Sequence, residues 1–273
     1  MTVAAIAYSQ LSPRLKSQVS EILKSHPDYG KWEASFETGT TGLDFGSFVF
    51  MRASTWPDEI RRHHNAYDHP RWHYVDYPLE PAAFRMEPGP APGDDALYGI
   101  AQSEKALTDA KTSPEERAIY LSYLIHLIGD LHQPLHCGSL VNGTYPHGDK
   151  GGNDFYIKPA SRGLALHAFW DELLGTSIKP QSRLNYGTEI EKEYPRKALP
   201  ELAKAKTPKD WSLESRQLAI KKGYLKGKLE GGMTADAAPA LPGGYTKSAK
   251  KVAERRAALA GYRLADELRN CVR

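Results

Sequence analysis

Cysteine is scarce: Cys137 and Cys271 are the only two in 273 residues, and neither belongs to a CxxC pair. A thiolate zinc site is therefore not expected, because such sites draw their ligands from closely spaced cysteines. The two could close one long disulfide loop or stand as separate thiols, and the spacing favours the thiols. Long apolar runs are missing too. No stretch approaches the roughly 18 residues a membrane helix needs, so no membrane partner is expected. Charge of one sign is also absent: 36 Lys and Arg against 33 Asp and Glu leave a formal net charge of +3. That surplus is too small to point to nucleic acid by itself. Neither a repeat nor a compositional break divides the chain, and 40% hydrophobic with 25% charged residues excludes a disordered or fibrous protein. What is present in quantity is histidine. Ten occur, several in apolar surroundings where an unsatisfied imidazole is costly.

Helix signals outweigh strand signals. Ser12-Pro13 reads as an N-cap with a first-turn proline, after which Leu15, Val19, Ile22 and Leu23 fall on one face. Ser113-Pro114 repeats the device, with Glu116 placed to close a capping box, and the helix it opens should stop before Pro134. Leu164 to Leu174 reads as a helix stopped by Gly175. Further helices are expected over Phe45 to Arg52, Ala96 to Ala110, Leu213 to Lys222 and Lys247 to Arg269. Between them lie a proline-rich stretch (76–95), a glycine-rich one (139–163) and an Ala, Pro and Gly stretch (231–244). One all-α domain over 1–273 is the reading.

The chemistry concentrates in HLIGDLHQPLH, residues 126–136. His126 and Asp130 stand four apart on a helix otherwise made of Leu, Ile and Gly, so both leave one face about a turn apart. A carboxylate there needs a partner or a metal. His132 points elsewhere, while His136 follows Pro134, where the chain can fold back. A buried His–Asp hydrogen bond would satisfy the same pattern. LALHAFWDELL repeats it, however, with His167 and Asp171 four apart on a second short helix. Two such pairs supply the nitrogen and oxygen ligands that zinc takes. Upstream, WPDEIRRHHNAYDHPRWHYVD holds Asp58, Arg61, His73, Tyr74 and Asp76. Alone it is weak: Asp58 could be a helix cap and His73 a surface imidazole.

These segments together resemble the zinc-dependent single-strand-specific nucleases of the mung bean type, which share an all-α fold with the zinc-dependent phospholipases C. The likeness rests on Asp58 and His73 fifteen apart, His126 through His136, Gly151-Gly152-Asn153, and His167 to Asp171, in that order. It extends to DWSLES near residue 212 and AGYRLADEL near the C-terminus. The resemblance implies three zinc ions. Asp58, His73, His126 and Asp130 would hold the first, and His136, His167 and Asp171 the second. Asp130 would bridge to a third. It also implies hydrolysis of single-stranded DNA and RNA to 5′-phosphorylated products, with 3′-nucleotidase activity. Asp58 would orient the nucleophile and Arg61 would meet the phosphate. Tyr74 would stack a base whose edges meet Asp76, Asn153 and the backbone of Gly151-Gly152. Without the resemblance, Tyr74 could be core and Gly151-Gly152 a tight turn. His63, His64, His69 and His147 read as a solvated rim. The phospholipase branch places Glu where Asp171 stands and lacks the aromatic–Asp pair. A non-catalytic helical metal-binding protein is the other alternative.

In one respect the chain departs from the pattern. The family's third zinc takes the amine and carbonyl of an N-terminal Trp and one nearby His, and no Trp-Gly-x-x-Gly-His precedes MTVAAIAY. The chain opens inside an apolar helix with neither cap nor signal peptide. The expectation is therefore an upstream secretory signal, a Trp, and a His directly before Met1. A chain truly starting at Met1 would hold about two zincs. Secretion or a periplasmic location, and a monomer, are the matching expectations.

Overall fold

Ser12 accepts a hydrogen bond from the Leu15 amide and opens α2 (Pro13–Leu23), after the largely buried α1 (Thr2–Ser9). The computed structural model describes residues 1–36, 42–61, 66–79 and 93–272. Two short helices and one longer one follow: α3 (Tyr29–Ala34), α4 (Phe45–Ala53) and α5 (Trp56–Ile60). Asp44 caps α4 through the Ser47 amide. After Pro70–His73, a single 3-10 turn, comes α6 (Ala96–Thr108), whose first two free amides both donate to Asp95.

The centre is α7 (Pro114–Asp130). Ser113 and Glu116 cap each other's backbone as the capping box requires. From Ala118 to Ile128 all but one of its residues are buried. A helix apolar on every side must be covered on every side, and α2, α4, α5, α6 and the 27-residue α12 (Tyr245–Cys271) do so. The helix ends at Leu131, and Pro134–Cys137 forms a 3-10 turn beyond it. The helical architecture expected from the sequence is thus the observed one, and no described helix is long and apolar enough to cross a membrane.

Several boundaries differ. Leu164–Ala165 is not helical but a strand, β4, antiparallel to β3 (Tyr156–Ile157). The Leu166 amide still donates to Phe155 O, so α8 begins only there (Leu166–Glu172). Four described helices lie outside the expected set: α3, α5, α9 (Pro180–Glu193) and the one-turn α10 (Glu201–Lys204). Helix α11 spans Pro208–Leu218, earlier than expected, because Thr207 and Asp210 form a second capping box; past it the chain makes a π turn, Ala219–Gly223. In the proline-rich stretch, β1 (Pro78–Leu79) pairs in parallel with β2 (Ser139–Leu140). Residues 80–92 of that stretch, with His63 and His64, lie outside the described residues. Cys137 and Cys271 are buried and no disulfide joins them.

Candidate metal centre

The ligand residues come from separate elements and converge. Asp58 sits in α5, His73 ends the 3-10 turn after Pro70, and His126 and Asp130 lie on the last turns of α7. Asp130 Oδ2 is 2.9 Å from His126 Nε2 and 3.1 Å from His73 Nδ1. Asp58 Oδ1 stands 3.8 and 3.6 Å from the same nitrogens. A second group forms beside the first. His136 Nε2 and His167 Nε2 lie 3.7 and 3.6 Å from the two oxygens of Asp171. The groups meet through Asp130, whose Oδ2 is 3.9 Å from His136 Nδ1. Asp58, His73 and His126 form one set able to hold an ion, and His136, His167 and Asp171 another.

Backbone carbonyls fix three of the four imidazoles. His126 Nδ1 donates to Ser54 O at 2.8 Å, His136 Nδ1 to His73 O at 2.6 Å, and His167 Nδ1 to Gly151 O at 2.7 Å. A carbonyl oxygen can only accept, so each Nδ1 carries a proton and each Nε2 is the nitrogen turned toward the carboxylates. This donor set, neutral imidazoles and carboxylates without thiolate, fits zinc. Gln133 orients the last ligand: its Nε2 donates to Asp171 Oδ1 at 2.9 Å while its Oε1 accepts from the Leu135 amide.

Electrostatics point the same way. Burial disfavours charge on His126, yet Asp130 and Asp58 outweigh it and hold the ring at about 9. His136 is raised likewise, against its burial, by Asp130 and Asp171. Burial would raise Asp130, but His126 and His136 pull it well below the usual carboxylate range. Three carboxylates in so small a volume attract protons strongly, and a metal cation answers the same field.

Beside both groups lies a cleft of about 270 Å³, lined among others by Arg61, Tyr74, Asp76, Gly151 and Asn153. Arg61 is 3.9 Å from Asp58. Tyr74 is half-buried and Asp76 is exposed beside it. Asn153 donates its amide to Lys150 O, leaving its carbonyl oxygen to the cleft. Gly151 and Gly152 are buried, at φ +62° and +85°. Both occupy the left-handed region that a tight turn needs, but only Gly151 lines the cleft, where its carbonyl also receives His167; Gly152 lies outside the lining.

Several supporting residues were not read from the sequence. Lys150 also lines the cleft. Asp149, fully buried, accepts from Tyr224 OH at 2.6 Å and from the Leu140 amide, which anchors the glycine loop. His132 is not a ligand. Its Nδ1 donates to Ile128 O and its Nε2 accepts from Arg263. Arg256 donates to His132 O, and Arg256 and Arg263 share Glu214. His69 is no solvated rim either: it stacks on Trp72 at 3.8 Å, while His147 is exposed as expected. Asp210 and Glu214 within the DWSLES motif were the available signal for this buried network.

Helical architecture with two His–Asp groups beside a cleft defines a candidate metal centre, and comparison with known proteins gives its family. The S1/P1 Nuclease family model matches residues 1–273. The chain belongs to that family, whose members are nucleases, hydrolases of phosphodiester bonds. Endonuclease 4 of Arabidopsis thaliana is 30% identical over 58% of this chain and 51% of its own length. Endonuclease 3 of the same plant is 26% identical over 78% of this chain and 74% of its own. The chain thus spans about half of the first relative.

Proposed function

We propose that this protein is a zinc-dependent nuclease that hydrolyses single-stranded DNA and RNA to 5′-phosphorylated products and removes phosphate from 3′-nucleotides. The observation that carries the reading is the pair of His–Asp groups joined through Asp130 at the edge of a cleft holding Arg61 and Tyr74. Zinc would be held by Asp58, His73, His126 and Asp130 in one group and by His136, His167 and Asp171 in the other. When bound, it would acidify water and offset the charge that grows on a phosphodiester under attack.

The chain's own residues do the rest. Asp58, the most exposed of the ligand carboxylates, is placed to orient the attacking water and accept its proton. Arg61 can meet a non-bridging phosphate oxygen with a charge-assisted hydrogen bond. Tyr74 offers a face on which any unpaired base can stack, which favours single strands without choosing a sequence. Asp76, the Asn153 carbonyl and the Gly151-Gly152 backbone would meet the base edge. Asp130 would also serve a third zinc. Secretion or a periplasmic site, and a monomer, complete the proposal.

The test is cleavage of a labelled single-stranded oligonucleotide, with 3′-AMP hydrolysis alongside. Chelation with EDTA should abolish both, and added zinc should restore them. Undiminished cleavage in chelator would refute the metal mechanism.

A further inference from the structure

The chain's charge is small in sum and uneven in place. Between Arg196 and Lys251 stand thirteen Lys and Arg against five Asp and Glu, although the whole chain carries only +3. The densest part is IKKGYLKGK, with Lys221, Lys222, Lys226 and Lys228 and no acid. All four lysines are exposed. Among the described residues, none of them has an ion-pair partner.

Their placement connects them to the cleft. The two residues between the lysine pairs that turn inward are Gly223 and Tyr224. A Cβ on Gly223 would lie 3.2 Å from the Leu135 side chain, and Tyr224 OH donates to Asp149. Leu135 lines the cleft, and Asp149 precedes Lys150, which also lines it. Gly223 and Tyr224 therefore back two parts of the cleft wall, and the lysines that flank them in sequence are exposed. Leu225, Lys226 and Gly227 run at φ +49°, +59° and +80°, and the amides of Gly227 and Leu229 both return to Tyr224 O. Two successive non-glycine residues held in the left-handed region are strained, and such strain gathers where function requires it. This strained turn follows the π turn Ala219–Gly223 directly, so four lysines fall within eight residues, a density of like charge that a polyanion would neutralise.

We propose that the 221–228 turn is an exosite for the phosphate backbone of a single-stranded nucleic acid whose scissile bond lies in the cleft. This rests on the nuclease reading above. The contacts are ionic and sequence-blind, so they act on strands long enough to reach past the cleft and leave the shortest substrates untouched.

The experiment replaces Lys221→Gln, Lys222→Gln, Lys226→Gln and Lys228→Gln together in the zinc-loaded protein. Binding of a non-cleavable phosphorothioate single strand is followed by fluorescence anisotropy across a salt series. If all four contacts form, the slope of log affinity against log salt falls in magnitude by about 2.8, at about 0.7 per phosphate. The kcat/KM for a dinucleotide stays within twofold. Replacing all four with Arg keeps the slope, because only charge is needed. An unchanged slope, or an equal loss on the dinucleotide, overturns the exosite. Loss of binding to phosphatidylserine vesicles with oligonucleotide binding intact also overturns it, since the turn would then be a membrane patch. If the parent protein cleaves nothing yet the slope falls, the nuclease reading fails and the exosite stands.

Discussion

Replacing Gly151 with Ala should cost both stability and the second metal group, and the amounts follow from the geometry. At φ +62° an alanine pays about 1–2 kcal/mol for left-handed backbone, which lowers the melting temperature by about 2–4 °C in a chain of this size. The new Cβ would also stand 2.6 Å from Leu135 O and 3.4 Å from His167 Nδ1. Ordinary contact needs the Leu135 carbonyl to retreat by about 0.8 Å, and that carbonyl belongs to the peptide bond leading into His136. The Gly151 carbonyl that receives His167 Nδ1 shifts with it. Both imidazoles of the second group are disturbed by one methyl. Losing such supporting contacts weakens metal affinity by about 10–100-fold, and misplacing a reactive centre by ~1 Å costs on the order of 100-fold in rate. Zinc titration against a competing indicator should therefore show one weakened site and one intact site. Gly143→Ala is the control, because a Cβ there meets nothing within 4 Å. Wild-type zinc stoichiometry and affinity in Gly151→Ala, with a melting temperature within 1 °C of the parent, would refute the reasoning.

Asp130→Asn should remove most zinc and at least about 100-fold of kcat, whereas Tyr74→Ala should raise KM about 5–150-fold with zinc content unchanged, as loss of 1–3 kcal/mol of stacking requires; metal analysis and steady-state kinetics separate the two. His26 gives a pH signature. Burial lowers it to about 4 from 6.5, its ring stacks on Trp32, and its Nδ1 accepts from the Asp28 amide. The unfolded chain therefore binds the extra proton between these values, so stability is full above about 6.5 and falls as pH drops toward 4. From pH 7 to 5 the loss is about 2 kcal/mol, and urea melts of His26→Phe should lack it relative to the parent. Arg256→Met should destabilise by leaving the His132 and Trp211 carbonyls without their donor, at about 1–3 kcal/mol each, read from the same melts.

How much could be read from the residues alone depended on whether the physics was local. Capping at Ser12 and Ser113 is a matter of a few adjacent residues, and both helices start where expected. The i, i+4 His–Asp pairs are equally local, and both are on helices. Helix α9 has a first-turn proline, Pro180, but its N-cap Lys179 makes no side-chain cap and only three of its residues are buried, so its periodicity is too weak to announce it. Leu164–Ala165 was misread because the ladder partner that claims it, Tyr156–Ile157, is supplied by tertiary structure. The carbonyls that set the imidazole tautomers left no trace in the sequence at all. Ser54 and Gly151 receive a histidine through main-chain atoms, and any residue has those.

The same holds for the support behind Asp130, and it explains why two arginines are buried next to a cation site. A helix ends with carbonyls that no further turn can satisfy, and its C-terminus carries partial negative charge. The end of α7 is covered by other helices, so water cannot do the work. Instead His132 donates to Ile128 O, Ser215 to Leu131 O at 2.6 Å, and Arg256 to His132 O at 3.1 Å. Glu214 balances one of the two guanidinium charges, and the helix end itself stabilises the other. Burial and the two arginines keep the His132 ring neutral, so it can accept from Arg263 while donating to the helix. The Ile128, Leu131 and His132 carbonyls and the His132 ring are thereby engaged away from the cleft. Among the described residues the Asp130 carboxylate, one residue inside the end, has no partner but the histidines beside it, which leaves it able to serve as the shared ligand proposed above.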